Sequence, residues 1–228
     1  MFTKISVLIP TRRRVERLKA LLASFEATTD SDEDVELVFR VDSDDRETLG
    51  FLFEQEHHVV IGPRHEGYRS MPVFFNEMAA AAAGDVLMCG NDDMLFKTPY
   101  WPSMVLNEAN KYPDGIFDLG VMTMNETHYP FSIVSRKAVE ALGFIWDPRI
   151  FWGDIFLRDV MAWYGRCVML PDVQVEHDWA GNRPDQVFQE TRASKSTIEG
   201  SEAYWTAVHW PAVREAVKKL EVLACRVG

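Results

Sequence analysis

The segment Asp85-Val86-Leu87-Met88-Cys89-Gly90-Asn91-Asp92-Asp93-Met94 ends a short apolar run in two adjacent carboxylates. Such a run reads as a buried strand, which puts Asp92 and Asp93 at its carboxyl end, where open α/β sheets bind their ligands. Two neighbouring acids there suit a divalent cation that holds a phosphate, because hard cations take oxygen ligands. The same residues also make a good turn, since short polar side chains bond their own backbone. A second acid-rich turn, Asp42-Ser43-Asp44-Asp45, follows another apolar run, and Trp152-Gly153-Asp154 opens a helical pattern. Each has a plain structural explanation as well. Asp44 or Asp45 can cap the next helix, and Asp154 can cap its own helix or pair with Arg158 at i,i+4 spacing.

The elements that must position these acids follow from periodicity. Lys4 to Pro10 is a strand stopped by proline, and Val15, Leu18, Leu21, Leu22 and Phe25 then recur at helical spacing. Val35 to Val41 is a second strand, Arg46 to Glu56 a helix, and His58 to Ile61 a short third strand closed by Gly62-Pro63. Met71 to Ala83 is an alanine-rich helix ending at Gly84, after which the fourth strand delivers Asn91-Asp92-Asp93. Strands alternating with helices in this way predict a parallel, Rossmann-like sheet. Beyond Pro99 the pattern loosens. Helices are expected near Met104 to Lys111, Arg136 to Leu142 and Asp154 to Tyr164, and strands at Phe117 to Met122, Phe131 to Val134, Cys167 to Leu170 and Val173 to His177. Residues 180 to 200 are polar and without period, which predicts a mobile loop carrying Arg192 and Lys195, and Pro211 to about Leu223 is an amphipathic helix.

Composition narrows the class. A chain of 228 residues with 47% apolar content can bury a full core. A net charge of −11 argues against a general nucleic-acid binder, which would show a basic face. Arg12-Arg13-Arg14 is a local basic patch that reads as a solvated surface at a loop-to-helix junction. The three cysteines, Cys89, Cys167 and Cys225, are odd in number and lie in apolar runs, so no disulfide framework is expected and a reducing compartment follows. A first strand beginning at Lys4 leaves no room for a signal peptide, and no apolar stretch approaches the roughly 20 residues of a membrane span. The expected location is cytoplasmic.

Four features now stand in a fixed order: Pro10-Thr11-Arg12 after the first strand, Asp42-Ser43-Asp44-Asp45 after the second, Asn91-Asp92-Asp93 after the fourth, and Trp152-Gly153-Asp154 opening a helix. This order resembles the family-2 glycosyltransferases of GT-A fold, over roughly residues 4 to 180. The resemblance implies an α/β fold with a Rossmann-like, mostly parallel central sheet flanked by helices and a smaller mixed region on the acceptor side. It implies that Pro10, Thr11, Arg12, Asp42 and Asp44 grip the nucleoside of a nucleotide-sugar, with Asn76 approaching the nucleotide. By the same resemblance Asp92 faces the ribose, Asp93 ligates Mn²⁺ or Mg²⁺, and His177 is a further metal or diphosphate ligand. The chemistry agrees, because Mn²⁺ accepts imidazole better than Mg²⁺ does. Family members commonly carry Glu-Asp-x-Asp where this chain has Gly153, Asp154 and Phe156, with a glycine at the distance of Gly165. Asp154 aligns with the base of that pattern, and the two departures put acceptor contacts in doubt.

The function so implied is a metal-dependent inverting glycosyltransferase. Asp154 takes the proton of an acceptor hydroxyl, and a nucleoside diphosphate, UDP first among the candidates, departs with its charge offset by the cation and by loop cations such as Arg192 or Lys195. A single domain is expected over 1–228, with 1–97 as the nucleotide-sugar half and 98–228 as the acceptor-binding and catalytic half. A nucleotidyltransferase is the alternative enzyme, but it would carry a glycine-rich signature where Pro10-Thr11-Arg12-Arg13-Arg14 has none. A dinucleotide oxidoreductase lacks its Gly-x-Gly-x-x-Gly. A non-catalytic sugar-nucleotide-binding protein is the third reading, suggested by the missing acids at 153 and 156. The acceptor is open among glycans, small molecules and other hydroxyls, with nucleic acid disfavoured and modified DNA retained.

Overall fold

Strand β1 (Ile5–Thr11) is buried along almost its whole length, as an apolar run without alternation must be when both faces of a sheet are covered. It lies between β2 (Val35–Asp42) and β4 (Val86–Cys89), parallel to both, and β3 (His58–Gly62) extends the parallel set beyond β2. Pairing with β4 ends at Leu8, so Pro10 sits where β1 has only β2 beside it, and the strand runs through the proline to Thr11. The computed structural model describes residues 1–30, 34–65, 70–123, 131–177 and 202–225. The expected loop at 180–200, with Arg192 and Lys195, lies outside the described residues.

The sheet continues past β4 in mixed sense. Its order is β3-β2-β1-β4-β7-β6-β8-β5, with β5 Met94–Phe96, β6 Asp118–Thr123, β7 Ser132–Ser135 and β8 Cys167–His177. β7 is antiparallel to β4 and to β6, β8 is parallel to β6, and β5 is antiparallel to β8. The two strands expected at 167–170 and 173–177 are one. Leu170 pairs with Val121 and Gln174 with the next residue, Met122, so Pro171 to Val173 form a bulge in β8 instead of a turn. β5, which the sequence does not announce, pairs Met94 with His177 and Phe96 with Val175.

Helices cover both faces. α1 (Val15–Thr28), α2 (Arg46–Glu54) and α4 (Trp101–Ala109) pack on one, burying Leu18, Leu21, Leu52 and Trp101 against Val7, Phe39 and Met88. α3 (Met71–Ala81), α5 (Arg136–Leu142), α6 (Gly153–Trp163) and the C-terminal α7 (Trp210–Cys225) pack on the other, against Leu8, Val38 and Leu87. α7 follows a short helical turn and a π-helical turn at Trp205–His209 that the sequence reading leaves out. The chain thus leaves β1 toward one face and reaches β4 from the other. The carboxyl ends of β1 and β4 flank the point where this changes, the place where such sheets open a binding crevice. Among the described residues no helix is long and apolar enough to cross a membrane.

Candidate active site

Thr11, Asp42 and the acids after Cys89 meet at the carboxyl ends of β1, β2 and β4. Asp92 is buried, and both its oxygens are engaged: Thr11 Oγ1 donates to one at 2.9 Å and Arg14 Nη1 to the other at 2.8 Å. Burial pushes the Asp92 carboxyl up from its ordinary range, Arg14 opposes the shift, and the neighbouring Asp93 charge adds to it. Its role in this arrangement is to tie the β1 loop to the β4 loop. Asp93 differs. Its Oδ2 faces Arg17 Nη1 at 3.4 Å, and its Oδ1 is buried without a hydrogen bond. His177 Nε2 lies 3.3 Å from that oxygen without a hydrogen bond's alignment. Pairing of β8 with β5 brings His177 here, and the Phe131 ring meets the imidazole edge-on at 5.3 Å.

The β2 loop is organised by arginines. Asp42 is buried and receives Arg12 Nη1 at 2.9 Å on Oδ2 and Arg40 Nη1 at 3.1 Å on Oδ1. Arg40 is itself buried within β2, with its other donors on Glu77 at 2.6 Å and the Pro63 carbonyl at 2.8 Å, and its guanidinium lies over the Phe74 ring. A Cβ at Gly62 would meet the guanidinium, which would then have to shift. Arg12 forks onto exposed Asp44 at 2.6 and 3.0 Å, which holds the Asp44 carboxyl down at about 2. The helix cap is neither of these acids. Asp45 caps α2 through Thr48 and also accepts the Arg13 N–H at 2.6 Å. Capping therefore accounts for Asp45 and leaves Asp42 and Asp44 unexplained by it. The expectation of a solvated patch at 12–14 is corrected too: Arg12 and Arg14 are 12% and 15% exposed and sit on site carboxylates, and only Arg13 is exposed.

Asp154 lies in the first turn of α6, second within the helix, and Trp152 holds the cap position. It is not the N-cap. Gly153 precedes it because the Trp146 indole rests on the helix start, where a Cβ would overlap the ring. Trp146 is held by Asn76, whose Nδ2 donates to the Trp146 carbonyl at 2.8 Å and whose Oδ1 accepts the Ile145 N–H at 2.8 Å. The Asn76 amide thus braces 145–146 from α3. The Asp154 charge is felt at the end of β4. Burial chiefly, then Asp118 and then Asp154, push the Cys89 thiol far up and keep it protonated.

Among the described residues, Asp93 and His177 are the pair that would hold a divalent cation at the strand ends. Asp93 Oδ1 and His177 Nε2 offer an unengaged buried oxygen and an imidazole nitrogen side by side. Among the described residues no group of three or more His, Cys, Asp or Glu side chains gathers for a metal. A cation held here takes the rest of its ligands from phosphate oxygens and water. Arg14, Arg17 and Arg40 are the site residues that sequence reasoning passes over. The one signal for them is that arginine is out of place in each setting: at a helix N-cap, in a first helical turn, and inside an apolar strand.

The fold is that of glycosyltransferases, with flanking helices and a sheet that is parallel over β3-β2-β1-β4, as expected from the sequence, and mixed beyond it. The chain is similar to the mannosyltransferase PcManGT from Pyrobaculum calidifontis, solved in complex with GDP-Man and Mn²⁺, at a TM-score of 0.63 and 14% identity, covering 100% of this chain and 76% of that one. It is similar to S. aureus TarS 1–349 in complex with UDP, at a TM-score of 0.57 and 13% identity, covering 96% of this chain and 83% of that one. No family model matches the chain, and no curated protein matches it.

Proposed function

We propose that the protein is a metal-dependent, inverting glycosyltransferase of the family-2 type, which moves a sugar from a nucleoside diphosphate to an acceptor hydroxyl. The observation that carries this reading is the pair formed by Asp93 Oδ1 and His177 Nε2 at the carboxyl ends of the strands, inside a glycosyltransferase fold. Asp42 and Asp44, held by Arg12 beside the Pro10-Thr11 end of β1, accept hydrogen bonds from the nucleoside's base N–H and ribose hydroxyls. The donor is a UDP- or GDP-sugar, the nucleotides bound by the two similar structures. When bound, Mn²⁺ or Mg²⁺ acts as a Lewis acid on the diphosphate. Asp154, at the amino end of α6, takes the acceptor's proton as the hydroxyl attacks the anomeric carbon from the face opposite the leaving group. Arg192 and Lys195 supply further positive charge from beyond the described residues. Residues 1–97 then serve the donor and 98–228 the acceptor and the chemistry.

The test is a panel of UDP, GDP, dTDP and CMP sugars screened by thermal shift with and without Mn²⁺, followed by assay of nucleoside diphosphate release. The expected result is a melting-temperature rise for one donor that needs Mn²⁺ and disappears in Asp93→Ala, with release of the matching nucleoside diphosphate. Pyrophosphate release from a nucleoside triphosphate would make the protein a nucleotidyltransferase instead. Binding without turnover for any acceptor class would make it a sugar-nucleotide-binding protein.

A further inference from the structure

The start of α1 carries two arginines where a helix dipole disfavours them. A helix amino terminus carries partial positive charge and favours acids such as Glu16 in the first turn, yet Arg14 stands at the cap position without a side-chain capping bond, and Arg17 follows in the same turn. The two arginines are held differently. Arg14 meets buried Asp92 at 2.8 Å in a complete hydrogen bond, and Thr11 takes the other oxygen of that carboxylate. Arg17 reaches Asp93 at 3.4 Å, beyond the usual span of a charge-assisted bond, on the carboxylate whose other oxygen is buried and unengaged beside His177.

We propose that Arg17 is a diphosphate-binding residue of this site, resting against Asp93 and turning to the donor's phosphate oxygens when a cation takes that carboxylate. This rests on the donor and metal reading given above. Competition at Asp93 points to such a partner. Arg17 and His177 both face this carboxylate, at 3.4 and 3.3 Å. A divalent cation taking Asp93 sets a second positive group beside the Arg17 guanidinium, and the phosphate oxygens of a diphosphate relieve that repulsion. Its planar fork matches two phosphate oxygens at once, which a lysine does not. Arg14 stays on Asp92, because a buried carboxylate stripped of its counter-ion is costly.

The test compares wild type, Arg17→Gln, Arg17→Lys and Asp93→Ala. Mn²⁺ binding without nucleotide is followed by the electron paramagnetic resonance of free Mn²⁺. Binding of UDP, GDP, CDP and ADP in saturating Mn²⁺, and of the corresponding nucleosides, is followed by calorimetry. In Arg17→Gln the affinity for the preferred nucleoside diphosphate falls about tenfold or more, as for the loss of a charge-assisted hydrogen bond, while its nucleoside binds within about twofold of wild type. Mn²⁺ alone binds at least as tightly as in wild type, because the competing cation is gone. Arg17→Lys keeps the charge without the fork, loses severalfold less, and keeps the test readable should the Gln variant fail to fold. An unchanged diphosphate affinity in Arg17→Gln overturns the inference. So does an equal loss for nucleoside and diphosphate, or a loss of Mn²⁺ affinity like that of Asp93→Ala, which would make Arg17 a support for Asp93 alone. If wild type binds no nucleoside diphosphate with Mn²⁺, the donor reading itself fails and takes this inference with it. If wild type binds and Arg17→Gln binds equally, only the inference fails.

Discussion

Asp42 and Asp44 lie two residues apart on one loop and share one arginine, yet removing them should have different consequences. Asp42 is buried between Arg12 and Arg40, and Arg40 is itself fully buried. Breaking a buried ion pair from one side typically costs about 3 to 5 kcal/mol, because a charge is left without its counter-ion. Arg40 keeps Glu77 and the Pro63 carbonyl, so the lower end, about 3 kcal/mol, applies to Asp42→Ala. At about 2 to 4 °C per kcal/mol for a chain of this size, the melting temperature should fall by roughly 6 to 12 °C. Asp44 stands in solvent, where its pair with Arg12 is screened, so Asp44→Ala should melt with wild type. Both variants should weaken binding of the donor's nucleoside, by about 1 to 3 kcal/mol if each accepts hydrogen bonds from it. The assay is thermal unfolding beside calorimetric titration with the nucleoside diphosphate found to bind. Equal melting temperatures for the two variants would refute the buried-pair argument. Wild-type nucleotide affinity in both would remove this loop from the donor site.

Asp154→Asn should keep donor affinity, since the residue is in the first helical turn and not the cap, and lose at most about 1 kcal/mol of helix-dipole stabilisation. Transfer should fall by on the order of 10² to 10⁴, and full transfer activity would remove Asp154 as the base. Gly153→Ala should destabilise the fold, because its Cβ meets the Trp146 ring, and the Trp146→Leu background should relieve most of that cost; additive losses in the double variant would contradict the contact. Asp92 should titrate above the exposed aspartates in carboxyl ¹³C NMR, and Arg14→Gln should raise its midpoint further. Because the folded-state midpoint lies above the unfolded one, this group makes the protein more stable as pH falls through that midpoint, opposite in sign to a carboxylate held down by its partner. A midpoint in the ordinary range would mean that burial does not dominate at Asp92.

The elements that sequence placed well are those whose signal is local. The apolar runs of β1, β2 and β4 and the helical repeat of α1 carry their own periodicity, and the acids follow them directly, so the acid loops were placed along with the strands. Elements that depend on a distant partner were not legible. β5 has three residues and exists because β8 pairs with it, and β8 looks interrupted because Pro171-Asp172 forms a bulge in a strand that has β6 on one side. α4 begins at Trp101, earlier than expected, with Tyr100 in a left-handed conformation and Pro102 tolerated in the first turn. In the site, the types of the acids could be read but not their partners. Sequence shows three arginines at 12–14. Only the fold shows that Arg12 serves Asp42 and Asp44, that Arg14 serves Asp92, and that Arg40 reaches Asp42 from within its own strand.

The two positions where the chain departs from the Glu-Asp-x-Asp pattern of the resembled family are both built into the packing around α6. Trp146 lies on Gly153 so closely that a Cβ would overlap its ring, and Asn76 on α3 uses both ends of its amide to hold the backbone that carries this tryptophan. Phe156 is fully buried, tilted against Phe144 and edge-on to His209 in the π-helical turn before α7. An acid at 156 in this packing would be buried, and burial of an unpaired carboxylate costs far more than the loss of a surface contact. Both departures are therefore fixed by neighbours in the segment before α6 and in the π-helical turn, and Asp154 is the carboxylate of the first turn of α6. An acceptor bound as proposed above would meet other side chains where the resembled family has these two acids.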